Sequence, residues 1–257
     1  MNAELSWLSY LLLFSFGVMA GTVNVIAGGG SFLTMPLLIF LGLPPTVANG
    51  TNRVGILLQN VAAVWGFHRH QVIDWRYLLW AALPATVGAL LGAWGAVVIG
   101  EQAFKNFLAL IMIVVTLWTL WDPLKGMKST TATGDRPPRV WLLAGGFFLV
   151  GIYGGFVQAG VGFLVLATTT LAGLDLVRGN AVKVLSILIY TFIALGIFAW
   201  QGKVDWVLGL VLAAGTVLGS QLGVHLTVLK GHRWIKKVVT VMVILLAVKL
   251  LLMRING

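Results

Sequence analysis

Between Leu5 and Phe67 the only charged residue is Arg53, and from Tyr77 to Gly100 there is none. Apolar runs of this length exceed the roughly 18 residues that mark a membrane-spanning segment. Composition agrees, since 59% of residues are hydrophobic, 9% are charged and the mean hydropathy is +0.99, far from the values of soluble domains. An all-α integral membrane protein without a large soluble domain is expected. Helix is favoured over barrel because the runs are about twenty residues long and show no short alternating strands. Segments are predicted near 5–27, 31–42, 47–67, 76–99 and 103–121, then 140–159, 162–173, 178–199, 206–227 and 235–253. The first has no basic leader and runs past Asn24 into further apolar sequence, so it is expected to be a retained span.

A spacing of 131 residues maps one half of the chain onto the other without a gap from Gly29 to Lys105. Identical pairs include Gly29/Gly160, Phe32/Phe163, Gly42/Gly173, Leu43/Leu174, Asn49/Asn180, Asp74/Asp205, Gly88/Gly219 and Gly92/Gly223. Duplication inside so apolar a chain points to a transporter. The stretch from Asp122 to Arg139 carries basic residues, a Ser/Thr run and Pro137-Pro138, which suits a solvated linker. The expected organisation is an N-terminal repeat over 1–122, a cytoplasmic linker over 123–139 and a C-terminal repeat over 140–257.

Charge asymmetry suggests how the halves are oriented. The 68–76 turn holds His68, Arg69, His70 and Arg76, and the linker is also basic, so both are expected inside. The turn near Gly100 then falls outside, whereas its repeat mate, with Lys230, Arg233, Lys236 and Lys237, wants to be inside. Opposite placement of equivalent turns implies two inverted repeats of about five segments each, with both termini outward. The competing arrangement has four spans per half in parallel and the short segments only dipping in.

The short second segments concentrate the polar chemistry. Gly28-Gly29-Gly30-Ser31 and Ala159-Gly160-Val161-Gly162 each interrupt an apolar stretch and lead into about a dozen residues, roughly 18 Å of helix, too short for a core of roughly 30 Å. A break at membrane depth requires a buried or watery cavity. The first amides of the helix that follows lack intrahelical partners and can hold an anion, with the helix dipole adding to the attraction. Ser31 is also a candidate cap. The bland alternative is that these glycines only let helices pack closely. Recurrence beside polar residues favours a site: Asn24 and Gln158 precede the breaks, and Asn49, Thr51, Asn52, Arg53, Asn180 and Lys183 follow. Arginine offers bidentate donation to oxyanions and lysine a point charge. Ionised groups inside a span usually face a cavity or a partner, although residues this near a helix start can also snorkel to the headgroups.

Other chemistries find less support. Cysteine is absent, which removes disulfides and thiolate sites. His68 and His70, two apart, do not share a helix face, and the glycine loops lack the Gly-Lys-Ser/Thr ending of a nucleotide-binding loop. The net charge of +10 falls mainly between apolar stretches, as lipid and topology would have it, so no nucleic-acid partner is expected. Tryptophans at segment ends suit an interfacial belt, Asp74 and Asp205 suit helix caps, and Gly88/Gly92 with Gly219/Gly223 have the spacing of helix-packing contacts. The four histidines lie at segment ends without acidic partners, so an enzyme is not expected, and no cofactor or metal is implied.

The run Gly28-Gly29-Gly30-Ser31-Phe32-Leu33-Thr34-Met35-Pro36 with Gly42-Leu43-Pro44 resembles the TauE/SafE sulfite exporter family. So do Asp74-Trp75, the stretch from Gly154 to Phe163, and Asn180-Ala181-Val182-Lys183. The second half departs from the glycine triplet, with Ala159 and Val161 where Gly28 and Gly30 stand, so the two half-sites are expected to be unequal. The resemblance implies a multi-pass bacterial inner-membrane carrier that exports sulfite or small organosulfonates such as sulfoacetate. Its partners would be a small anion and the bilayer, with a homodimer left open. Arg53 and Lys183 would balance substrate charge. The alternatives are an anion channel or a carrier of another small anion.

Overall fold

The computed structural model describes residues 6–71, 75–120, 138–174 and 176–229. Among them there are nine helices and no strand: α1 (Trp7–Ile26), α2 (Ser31–Phe40), α3 (Pro45–Arg69), α4 (Trp75–Val98), α5 (Glu101–Leu120), α6 (Val140–Phe156), α7 (Val161–Leu171), α8 (Leu176–Trp200) and α9 (Trp206–Leu229). The all-helical expectation holds. Helices α1, α4, α8 and α9 are long and apolar enough to cross a membrane, while α2, α6 and α7 are shorter apolar helices. The 122–139 linker apart from its last residues, the Lys230–Lys237 turn, Asp74 and the segment over 235–253 lie outside the described residues.

The two short helices end in the same way. Gly42 has φ +96° and Gly173 φ +100°, and the next amides, of Leu43 and Leu174, reach back to the carbonyls of Leu38 at 3.2 Å and Thr169 at 2.9 Å. This left-handed closure satisfies the last carbonyls of each helix and favours glycine at the turning residue, which explains why the Gly-Leu pair recurs in both halves. Pro45 then opens α3 at its first turn, where the missing N–H is no loss.

Glycine faces tie each half to the other. A Cβ on Gly88 or Gly92 of α4 would overlap carbonyls of Phe148 and Ile152 in α6, and one on Gly151 or Gly155 of α6 would overlap those of Ala85 and Ala89. The repeat mates do the same: Gly219 of α9 meets Val18 of α1, and Gly17 and Gly21 of α1 meet Leu212 and Thr216 of α9. Thr22 also donates to the Gly219 carbonyl at 3.0 Å. Small residues let backbones approach this closely where lipid offers no hydrophobic gain from association.

Residue order along these contacts gives helix directions. α1 runs beside α9 in the same sense, and α6 beside α4. α3 also runs with α9, from Thr51 at Asp205 to Gly66 at Val224. α8 opposes α3, since its C-terminal Phe198 and the following Lys203 lie against Gly50. One end of the bundle therefore gathers the starts of α3, α5 and α9, where Glu101 accepts from the amide and hydroxyl of Thr46 and pairs with Lys203 at 3.0 Å. Asp205 caps α9 there by accepting from the Leu208 amide at 3.0 Å. The opposite end gathers the starts of α4, α6 and α8, where Trp80 meets Trp141 edge-on and the Arg139 amide donates to the Ala172 carbonyl. Each of Trp65, Trp75, Trp80, Trp141, Trp200 and Trp206 is exposed.

Candidate functional site

Both glycine-rich runs are true breaks, and they meet. α1 stops at Ile26 and α2 starts at Ser31, while α6 stops at Phe156 and α7 starts at Val161. Gly28 turns the first break at φ +87° and Gly160 the second at φ +71°. A Cβ on Gly28 would overlap Gly162 Cα, and one on Gly162 would overlap Gly28 Cα, so the two backbones pass in direct contact. Phe32 and Phe163, equivalent in the repeat, stack across the crossing with centroids 6.5 Å apart.

Each break leaves a helix C-terminus whose carbonyls need donors, and the opposite half supplies them. Lys183 Nζ of α8 donates to the carbonyls of Asn24 at 2.9 Å and Val25 at 2.8 Å, and Asn180 Nδ2 to that of Ile26 at 3.3 Å. In mirror fashion Arg53 of α3 donates to the Gly155 carbonyl and, at 3.3 Å, to Gln158 Oε1, while Asn49 Nδ2 donates to the Phe156 carbonyl at 2.7 Å. Cations at helix C-termini also complement the dipole. Both are buried, at 0% exposure for Arg53 and 1% for Lys183, so neither snorkels. Arg53 additionally lies over the Phe198 ring at 4.6 Å. Among the described residues the acidic side chains are Glu101 and Asp205, both already engaged at the far end, so no carboxylate neutralises either cation.

A small cavity opens beside the crossing. Of the sequence-predicted residues it brings together Asn24, Gly28, Ser31, Gln158, Gly162 and Lys183. The others are buried nearby without reaching its wall. Gly29 lies under the Phe163 ring, Asn52 Oδ1 accepts from Thr34 at 2.6 Å, and Thr51 Oγ1 accepts from the Asp205 amide at 2.8 Å. Ser31 does not cap α2. Gly30 holds that position, and its amide donates to Asn24 Oδ1 at 2.8 Å, because the longer amide side chain reaches across the break from the last turn of α1. Gln59 and Asn60 complete the polar wall, with Ile56 and Ile187 as apolar lining. Sequence reasoning missed both, although Asn52, Ile56, Gln59 and Asn60 fall on one face at i, i+4, i+7 and i+8, and polar residues midway along a membrane helix are themselves a signal.

The wall can accept an anion by direct donation. Lysine carries three N–H donors, of which two hold carbonyls of α1. Among the described residues the amides of Ser31 and Gly162, each in the first turn after a break, find no acceptor.

The family described as sulfite exporter TauE/SafE matches residues 13–250. A "Probable membrane transporter protein" of Haemophilus influenzae is 29% identical over 93% of both chains. "Probable membrane transporter protein ORF9" of Sinorhizobium sp is 31% identical over 94% of this chain and 93% of its own. "Probable membrane transporter protein YfcA" of Escherichia coli K12 is 30% identical over 93% and 88%. No solved structure matches. A duplicated helical membrane chain, broken twice at one crossing point and matched along nearly its whole length, is a membrane transporter and belongs to the TauE/SafE family.

Proposed function

We propose that this transporter exports sulfite or a small organosulfonate such as sulfoacetate across the bacterial inner membrane, by alternating access between two inverted halves. The observation that supports the reading is the polar cavity at the crossing of the two breaks, lined by Lys183, Ser31 and Gly162 with no carboxylate among its lining residues. A pyramidal or tetrahedral oxyanion offers several acceptor oxygens to such donors, and its negative charge answers cations that find no counter-ion among the described residues. Placement of Arg69, Arg76, Arg139 and Arg178 at the end opposite Glu101 supports reading that end as the cytoplasmic one under the positive-inside tendency. The cavity then lies in the inner half, since Lys183 is seven residues, about 10 Å, from the start of α8.

Radiolabelled sulfite and sulfoacetate fluxes in proteoliposomes test this. Lys183→Gln or Arg53→Gln should reduce flux to background while the protein remains monodisperse. Counterflow of labelled substrate separates a carrier from a channel, and unchanged flux in both variants rejects the assignment.

A further inference from the structure

Several of the buried polar atoms that find no partner lie on α3 and α8 at, or beside, positions that the repeat relates to the lining of the inner cavity. The inner cavity is lined by Asn24, Gln59, Asn60 and Lys183. The 131-residue spacing carries Gln59 to Tyr190, Asn60 to Thr191 and Lys183 back to Asn52, while Gln158 occupies the place before the second break that Asn24 occupies before the first. Among the described residues Tyr190 Oη, Thr191 Oγ1 and Asn52 Nδ2 are each buried without a hydrogen-bond partner, and so is Arg53 Nε, next in sequence to Asn52. Tyr190 and Thr191 are 0% exposed.

Unpaired buried donors are costly, and a cation with an unused donor more so. Three of them, on Asn52, Tyr190 and Thr191, stand at positions related by the repeat to Lys183, Gln59 and Asn60 of the cavity wall, and the fourth, on Arg53, stands beside Asn52. They lie toward the Glu101 end: Arg53 is eight residues, about 12 Å, from the start of α3, and Tyr190 ten residues, about 15 Å, from the end of α8. On that side Phe198 sits beneath the guanidinium, and the bonds of Glu101 to Thr46 and Lys203 tie α3, α5 and the α8–α9 turn together.

Resting on the transport reading above, we propose that Arg53, Gln158, Tyr190 and Thr191 form a second oxyanion half-site, collapsed in this conformation and occupied by the anion when the protein faces outward. The guanidinium replaces the lysine ammonium, and the phenol replaces the Gln59 amide, so the outer half-site donates bidentately where the inner one offers a point charge. Exchange of conformation between the halves would open one half-site as the other closes.

The chain contains no cysteine, so single-cysteine labelling needs no engineered background. Asn60→Cys and Thr191→Cys, in sealed vesicles of known orientation, are treated with a membrane-impermeant trimethylammonium methanethiosulfonate. Asn60→Cys should label from the cytoplasmic face and Thr191→Cys from the other. Glu101→Gln, which loosens the outer closure, should speed the Thr191→Cys reaction several-fold, and sulfoacetate or sulfate should slow it. Labelling of both positions from one face overturns the proposal, as does no reaction at Thr191→Cys even with Glu101→Gln, or no protection by either anion. Tyr190→Phe gives a second measure, raising the outer-face KM about tenfold for one lost hydrogen bond and the inner-face KM less than twofold; equal effects on both faces overturn it. If either anion protects Thr191→Cys but neither sulfite nor sulfoacetate is moved by the wild type, the cargo assignment falls and the half-site stands.

Discussion

The close crossing of the two breaks makes Gly28→Ala the sharpest structural perturbation available. Two effects add. Gly28 has φ +87°, and a left-handed conformation disfavours an L side chain by about 1–2 kcal/mol. The new Cβ would also overlap Gly162 Cα and its carbonyl carbon. These are backbone atoms that cannot rotate away, and overpacking of this kind typically destabilises by about 1–3 kcal/mol. Gly42→Ala supplies the control, because Gly42 has φ +96° and nothing within 4 Å of an added Cβ. The difference between the variants isolates the steric part, about 1–3 kcal/mol, or roughly 2–12 °C in Tm for a chain of this size. Purified variants heated in one detergent and followed by size-exclusion fluorescence give the ranking at a common scan rate, which matters because membrane proteins unfold irreversibly. If Gly28→Ala is as stable as Gly42→Ala, the two breaks do not touch as described, and the shared cavity loses its geometry.

Other outcomes follow from the same contacts. Gly92→Leu should abolish recovery of monodisperse protein, because its Cβ already overlaps the Ile152 carbonyl and approaches the Phe156 amide; Gly95→Leu, where an added Cβ meets only the Phe156 ring at 3.6 Å, should be recovered normally. Asp205→Ala removes the acceptor for the Leu208 amide and should lower stability by about 1 kcal/mol, seen as a Tm shift that Asp205→Ser largely restores.

Much of the fold was legible because lipid leaves a chain few options. A charge-free run of twenty residues in that solvent becomes a helix whatever its neighbours do, so nine of the ten expected segments correspond to described helices within a few residues at each end, and the tenth, over 235–253, lies outside the described residues. The glycine breaks were legible for a similar reason, since both a left-handed turn and a close backbone approach exclude side chains, and the repeat displayed each twice. Less of the site could be read. Arg53 and Lys183 were expected to meet an anion, yet both are hydrogen-bonded to the broken helix of the other half, and only Lys183 reaches the cavity wall. No local pattern announces that exchange, because a carbonyl end and the cation that satisfies it lie more than a hundred residues apart.

What the sequence determined by itself was periodicity, apolarity and punctuation, that is, where helices run, where they stop and that the chain is doubled. Tertiary structure alone decided which half serves which. α4 lies against α6 and α9 against α1, so the first helix of each half is held by the other, and the cation of each half closes the other's break. Pairing of this kind depends on surface shape and on which buried donors remain unmet once the helices have formed, and those quantities exist only after the chain has packed.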